Sequence, residues 1–344
     1  MSERRAARAA AAATARTARR RRRHPALVAL VATTGTLVGI ATVLAVVAAV
    51  FVGSLTRSFD DHTEAIADPF PAGDRPAPSG GAEDILLIGS DSRAGLADGD
   101  QTAGGRSDTL MLAHVPADRR HVYLMSIMRD SWVEVPGHGR AKINAAYSWG
   151  GIPLTVQTVE QLLDVRIDHV AEVDLAGFAD MTDALGGVTV RSPRDFTARG
   201  HHFVSGANRL DGEQALAFVR ERYAFADADH TRVRNQQAFL RGVFDQALSR
   251  GTLTHPGRLQ EFVTATSEHL AVDPGLDAAT IVRLGWSLRG VRPDDLVTFT
   301  MPTAGSGTTP DGQSFVRLDD HDRAAISSAL RSDDLQRWLE DRPS

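Results

Sequence analysis

The longest hydrophobic run lies near the N-terminus. From Leu27 to Gly53 the chain is nearly all Ala, Val, Leu, Ile, Thr and Gly, and no formally charged side chain occurs between Arg23 and Arg57. A helix needs about 20 apolar residues to cross a bilayer core, so this run predicts one membrane span, taken here as 25–56. A cleavable signal peptide is the competing reading. Its apolar core is only about 7–15 residues, and no clear A-x-A site follows. Residues 57–82 then contain Pro69, Pro71, Pro76, Pro78 and a Gly80-Gly81 pair, and read as a stalk.

Beyond residue 83 the pattern alternates between short apolar runs and helical periodicity. Ile85 to Ile88 reads as a buried strand ending at Gly89. Thr109 to Val115 and His121 to Ile127 read as strands joined by a Pro116-Ala117-Asp118 turn. Pro153 to Leu163 has helical spacing, Val170 to Val173 is a strand, and Leu175 to Leu185 is a helix stopped by Gly186-Gly187 before the strand Val188 to Val190. Helices are predicted over Asp211–Arg220, Thr231–Arg250, Pro256–His269 and Ala278–Arg289. A strand follows at Leu296–Met301, and Asp319–Leu330 and Asp333–Leu339 close the chain as helices. Strands alternating with helices predict an α/β or mixed α+β domain, a central mixed sheet flanked by helices, over 83–344.

Charge sharpens the topology. Nine arginines against Glu3 give residues 1–24 a charge of +8, so the chain's net −5 leaves −13 on the rest. The run Arg19–Arg23 directly before the apolar segment keeps 1–24 cytoplasmic under the positive-inside rule and places everything after Arg57 outside the cell. A basic arm could also mean nucleic-acid binding, but this one is short, lacks helix-turn-helix patterning and abuts the span. The chain has no cysteine, which excludes disulfides, thiolate metal sites and thiol nucleophiles. No G-x4-G-K-[ST], H-E-x-x-H or G-x-S-x-G pattern occurs. The adjacent His201 and His202 have no third ligand at metal-site spacing and read as surface histidines.

The candidate chemistry is arginine beside aspartate at strand ends. Asp91 and Arg93 follow the first strand, Arg106 and Asp108 open the second, and Arg129-Asp130 ends the third. In extended chain, residues i and i+2 face the same way, so Arg93 shares a side with Asp91 and Arg106 with Asp108. Loops at strand ends are where open sheets hold ligands. Further on, Arg220 and Arg222 share a face if the chain is extended after its helix, and Arg232 and Gln236 lie one turn apart. Arginine forks suit phosphate oxygens, and carboxylates such as Asp91 and Asp108 suit Mg²⁺, a hard ion.

The stretches GSDSR, GGRSDT, SIMRD, KINAAY, DALGGV, LDGEQALAFVRER and D-x-x-R-x-x-N-Q-Q, in this order after a membrane anchor, resemble the LytR-CpsA-Psr family over about 83–245. The resemblance implies a membrane-anchored, Mg²⁺-dependent phosphotransferase. Such an enzyme moves an anionic glycopolymer from a polyprenyl-pyrophosphate carrier onto a peptidoglycan hydroxyl and leaves a phosphodiester link. Carried over by position, Asp91 and Asp108 are metal ligands. Arg93, Arg106, Arg129, Arg220, Arg222, Arg232 and Gln236 contact pyrophosphate, and Arg106, Asp108 and Arg129 carry the catalysis. The implied partners are the lipid-linked polymer, peptidoglycan and the membrane, with no nucleic acid. Met128 stands where the family usually has proline, and Asn235 where it usually has arginine. The implied lipid also needs an apolar channel, for which the sheet and the helices at 154–163 and 175–185 are candidates. The alternative is a non-catalytic binder of the carrier lipid or of wall glycan.

Overall fold

The computed structural model describes residues 46–47, 49–90, 107–174, 177–222, 224 and 228–342, with the side chains of Asp108, Ala228, Asp229, Arg250 and Leu253 outside that description. Most of the apolar run 27–53 therefore lies outside the described residues. Among those residues no helix is long and apolar enough to cross a membrane. The described residues from 55 onward form one compact unit.

Its centre is a seven-stranded mixed sheet. The strands are β1 (Glu64–Ala65), β2 (Glu83–Ser90), β3 (Ser107–Val115), β4 (Val122–Ile127), β7 (His169–Asp174), β12 (Leu270–Val272) and β13 (Leu296–Thr300), in the order β1-β12-β7-β2-β3-β4-β13. β2 runs parallel to β7 and antiparallel to β3, and β4 runs parallel to β13. The C-terminal ends of β2, β7, β4 and β13 and the start of β3 thus emerge at one edge.

The run Ile85–Ile88 is apolar throughout because both faces of the sheet are covered. Leu86 and Ile88, with Leu110, Leu112 and Met125, pack under α1 (Asn144–Leu163), α8 (Asp320–Arg331) and α9 (Leu335–Glu340). Ile85 and Leu87 face the other way, toward Leu240 of α4 (Ala228–Ala247) and Leu284 of α7 (Ala278–Ser287). Each such fully buried aliphatic side chain contributes roughly 1.5–3 kcal/mol. A satellite core around Phe203, Phe218 and Phe239 joins α2 (Gly177–Ala184) and α3 (Gly212–Arg220) to the hairpin-forming strands β8 (Val188–Ser192), β9 (Phe196–Ala198), β10 (His201–Phe203) and β11 (Gly206–Leu210). The short α5 (Arg250–Leu253) and α6 (Pro256–Ser267) follow α4.

Several elements depart from the sequence reading, among them the short strands β9, β10, β11 and β12, which it did not include. The helix expected to start at Pro153 begins at Asn144. It is two helices in register across a kink at Gly150 and Gly151, and Gly151 has φ of 61°. Pro153 sits in the first turn of the second half, where its missing N–H costs nothing. The hairpins β5 (Trp132–Val135) with β6 (Gly139–Lys142) and β14 (Thr303–Thr308) with β15 (Ser314–Leu318) were also unforeseen, as was the pairing of β9 with β10. A further departure is the expected stalk, 57–82, which is part of the folded unit. Glu64 and Ala65 pair with β12, Ile66 is in the core, and the Arg75 guanidinium lies against the Phe70 ring. Arg75 also donates to the buried carboxylate of Glu160 (2.6 Å) and to the Ile167 carbonyl (2.5 Å). Prolines here shape a tightly held strap, not a spacer.

At the opposite edge, His114 is buried between two carboxylates. Its Nδ1 lies 2.8 Å from Asp84 and its Nε2 lies 3.2 Å from Asp333, in the turn between α8 and α9. Burial pulls the imidazole pKa down, but the hydrogen bond and charge of Asp84, followed by those of Asp333, outweigh it and raise the value above 6.5. The stabilisation from this clasp is therefore complete below pH 6.5 and is lost as pH rises through the raised value. Asp333→Asn keeps a residue that tolerates the positive φ at this position (55°) while removing one charge. The variant is expected to flatten the decline in melting temperature above pH 6.5, as followed by circular dichroism. An unchanged slope would exclude the clasp as its source.

Candidate functional site

The edge where β2, β4, β7 and β13 end carries the site. The turn after β4 is pinned on all sides. Ser131 N–H donates to the Met128 carbonyl (2.9 Å), Asn144 N–H to that of Arg129 (3.1 Å), and Val316 N–H to that of Asp130 (2.8 Å). Met128 is buried, so the residue before Arg129 is held by packing in place of a proline ring. The Arg129 Nε lies 3.8 Å from Asp130, which also faces the Lys142 ammonium at 3.4 Å.

α3 begins with a capping box. Gln214 N–H donates to Asp211 (2.9 Å), and the Asp211 N–H to the Gln214 side chain (3.2 Å). It ends at Arg220, and Glu221 is extended (φ −65°, ψ 132°). This is the geometry that puts Arg220 and Arg222 on one side. Glu221 turns inward and accepts a hydrogen bond from Ala224 N–H at 2.7 Å.

The first turns of α4 are polar and buried. Arg232 is 4% exposed, and Thr231, Asn235, Gln236 and Gln237 are also buried. Two amides fix this segment. Asn235 donates to the Phe218 carbonyl (3.0 Å), two residues before Arg220. The Gln237 nitrogen lies 2.8 Å from Ser126 Oγ, 3.0 Å from the Phe299 carbonyl and 3.2 Å from Thr300 Oγ1, so it donates across the ends of β4 and β13. These bonds bring the neighbourhoods of Arg129, Arg220 and Arg232 together at one edge. The Nε atoms of all three are closed off from solvent. Asn235, standing where the family usually has arginine, serves here as the tie between α3 and α4.

On the β2 side, the Tyr147 hydroxyl donates to the buried Glu172 at 2.5 Å and also interacts with Ser90. Burial, then the charge of Glu172 and its hydrogen bond, push the phenol pKa well above its ordinary value, so Tyr147 stays protonated. Gln237, Tyr147 and Glu172 were not assigned roles from sequence. The polar run at 235–237 on a helix that must pack on a sheet was the available signal for the first.

Asp91, Arg93 and Arg106 lie outside the described residues, as does the Asp108 side chain. Asp91 follows Ser90 and Asp108 follows Ser107, and Ser90 pairs with Ser107. Among the described residues, no group of three or more His, Asp or Glu side chains is placed to hold a metal ion. Val156, Val159 and Leu163, on one expected wall of a lipid channel, are fully buried.

A mixed sheet flanked by helices on both faces defines an α/β protein, with Arg129 in the turn after β4 and Arg232 buried in the first turns of α4. The LytR_cpsA_psr family model matches residues 50–332, and the chain belongs to this family. It is 31% identical over 251 residues to the polyisoprenyl-teichoic acid–peptidoglycan teichoic acid transferase TagU of Enterococcus faecalis, covering 72% of this chain and 78% of that protein. It is 39% identical over 229 residues to the probable cell wall biosynthesis protein LcpB of Corynebacterium glutamicum, covering 64% of this chain and 54% of that protein. The crystal structure of Bacillus subtilis TagV superposes with a TM-score of 0.62 at 26% identity, over 76% of this chain and 98% of that one.

Gln237→Ala is expected to lower the unfolding free energy by about 1–3 kcal/mol, because the buried Phe299 carbonyl loses its donor. Urea denaturation reads this directly. A loss below about 0.5 kcal/mol would mean that α4 is positioned by other contacts.

Proposed function

We propose that this protein transfers an anionic glycopolymer from a polyprenyl-pyrophosphate carrier to a hydroxyl of peptidoglycan, on the outer face of the cell membrane. The observation that carries this reading is the tie that Asn235 and Gln237 make from the Arg232 segment of α4 to the end of α3, just before Arg220, and to the end of β4, just before Arg129. Guanidinium groups on neighbouring elements suit an anionic ligand, and pyrophosphate offers bidentate partners. The name of the Enterococcus faecalis relative points to the same donor and acceptor.

In this reading the acceptor hydroxyl oxygen attacks the sugar-side phosphorus. A new P–O bond forms, the bond to the carrier phosphate breaks, and polyprenyl phosphate leaves while the hydroxyl proton passes to solvent. Arg93, Arg106, Arg129, Arg220, Arg222 and Arg232, with Gln236, bind the pyrophosphate oxygens. Arg106 and Arg129 counter the charge that builds on them during transfer. Asp91 and Asp108 would hold Mg²⁺. Their fit rests on hard oxygen donors, each one residue from the Ser90–Ser107 pair. When bound, the ion would neutralise charge on the phosphates. The segment 25–56 anchors the chain, with 1–24 in the cytoplasm.

The full-length protein in detergent, given a lipid-linked polymer and peptidoglycan fragments, is expected to release polyprenyl phosphate. Arg129→Ala, Arg220→Ala and Arg232→Ala should each slow release roughly 10- to 150-fold, the worth of one charge-assisted phosphate contact of about 1.5–3 kcal/mol. Arginine-to-lysine changes should not restore it. Near-wild-type rates in all three alanine variants would refute the clamp, and donor binding without release would leave only a binding protein.

The double substitution Asp91→Ala with Asp108→Ala should abolish Mg²⁺ binding in calorimetry and turnover together. Undiminished turnover in excess chelator would remove the metal. A reporter fused after Ser344 should be active only in its exported form, and cytoplasmic activity would overturn the topology.

A further inference from the structure

A second recognition surface adjoins the arginine cluster. A cleft of about 490 Å³ opens beside Arg129, between the β5–β6 hairpin, the first half of α1 and the tip of the β14–β15 hairpin. That volume is in the range of ligand sites. Its charged lining cancels, since Arg129 and Lys142 are matched by Asp130 and Asp311. The rest of its polar lining is neutral and hydrogen-bonding, with Asn144, Ser148, Thr309 and Gln313.

The walls are held in place. Trp132 packs on Phe315 (ring centroids 4.6 Å apart), and the Val316 N–H bond to the Asp130 carbonyl fastens β15 to the turn after β4. Within the hairpin tip, Gln313 donates to Asp311 at 2.7 Å and Gly312 N–H to the Thr309 carbonyl at 2.9 Å. Hydrogen bonds from Thr309 and then Gln313, with Lys142 adding its charge, hold the Asp311 carboxyl below the usual range, so it is an acceptor at neutral pH. At the rim, the Trp149 indole stacks on His138 (4.8 Å, 26°) yet remains 50% exposed. A ring fixed on one side and open elsewhere is a preformed platform.

We propose that this cleft is the acceptor subsite and binds a neutral glycan segment, with a sugar ring against Trp149 and its hydroxyls bonded by Asp311, Gln313 and Asn144. A pyranose has an apolar C–H face and a rim of hydroxyl groups. An indole beside short polar side chains complements both. The balanced charge disfavours the anionic donor polymer, which the arginine cluster suits instead. Arg129, shared by the two regions, then lies between donor phosphate and acceptor hydroxyl. This inference rests on the transferase reading for its role, but not for the binding itself.

The test titrates the full-length protein with chitotetraose, a neutral N-acetylglucosamine tetrasaccharide, and separately with a free stem peptide, following tryptophan emission. Acceptor and donor KM are then measured in the transfer assay. Chitotetraose should bind, and Trp149→Ala and Gln313→Ala should each weaken it about 10-fold and raise the acceptor KM similarly, with donor KM unmoved. Trp286→Ala, at an indole 71% exposed and outside the cleft, serves as the control and should behave as wild type. Gln313 sits on a hairpin tip, so its variant keeps the test valid if Trp149→Ala disturbs the fold. The proposal is overturned if chitotetraose fails to bind, if the peptide alone takes its place, or if the two variants change donor KM and not acceptor KM. If glycan binding depends on Trp149 but the wild type transfers nothing, the transferase reading fails while the glycan site stands.

Discussion

The side-chain amide of Gln237 is the fixed point of this molecule. It spans the ends of β4 and β13 through Ser126, Phe299 and Thr300, and so decides where the first turns of α4 lie on the sheet. Those turns hold Arg232 and Gln236, and Asn235 extends the same constraint to the end of α3. Four elements, β4, β13, α3 and α4, are thereby tied by two amides. An amide can do this where a salt bridge could not. Its two N–H groups are shared among a carbonyl and two hydroxyls without adding a charge beside Arg232.

Such an edge is stable only because the rest of the fold gives it little freedom. Both faces of the sheet are closed by helices, and the strap 57–82 is anchored through Ile66 and the Arg75–Glu160 ion pair. The turn after β4 and the first turns of α4 are therefore fixed against a closed core. Clustered cations repel, and the cost is met by burial elsewhere in the sheet.

Much of this was legible in the chain. The β2–β3–β4 meander followed from apolar runs bounded by a Pro-Ala-Asp turn, and the extended Glu221 was the condition under which Arg220 and Arg222 could act together. Position along strands and helices was readable because it depends on local periodicity. The partners of Gln237, Asn235 and Tyr147 were not readable, because each reaches across the sequence to a backbone or carboxyl group whose nearness only the folded sheet creates. The β14 strand was hidden for another reason. Its sequence, Thr-Ala-Gly-Ser-Gly-Thr, offers no apolar alternation, and it is held by β15 and not by burial. The Pro310-Asp311-Gly312 turn after it was the signal to heed. The stalk reading failed because proline content reports stiffness and says nothing of whether a stiff segment finds a surface to lie on.

The break at Gly150 and Gly151 divides α1 into parts with different duties. The second half, from Pro153, is a structural beam whose Val156, Val159 and Leu163 are sealed into the core. The first half carries Tyr147 and Trp149, tied to the sheet by Glu172 and to a neighbouring loop by His138. A continuous helix would transmit any change in one half to the other as a rotation of the whole rod. Interrupted by two residues with non-helical torsions, the rod is a beam with a separate bracket at its end. A substitution in the second half therefore bears on the core and on foldability, whereas one at Ser148 or Trp149 bears on the shape of the cleft wall.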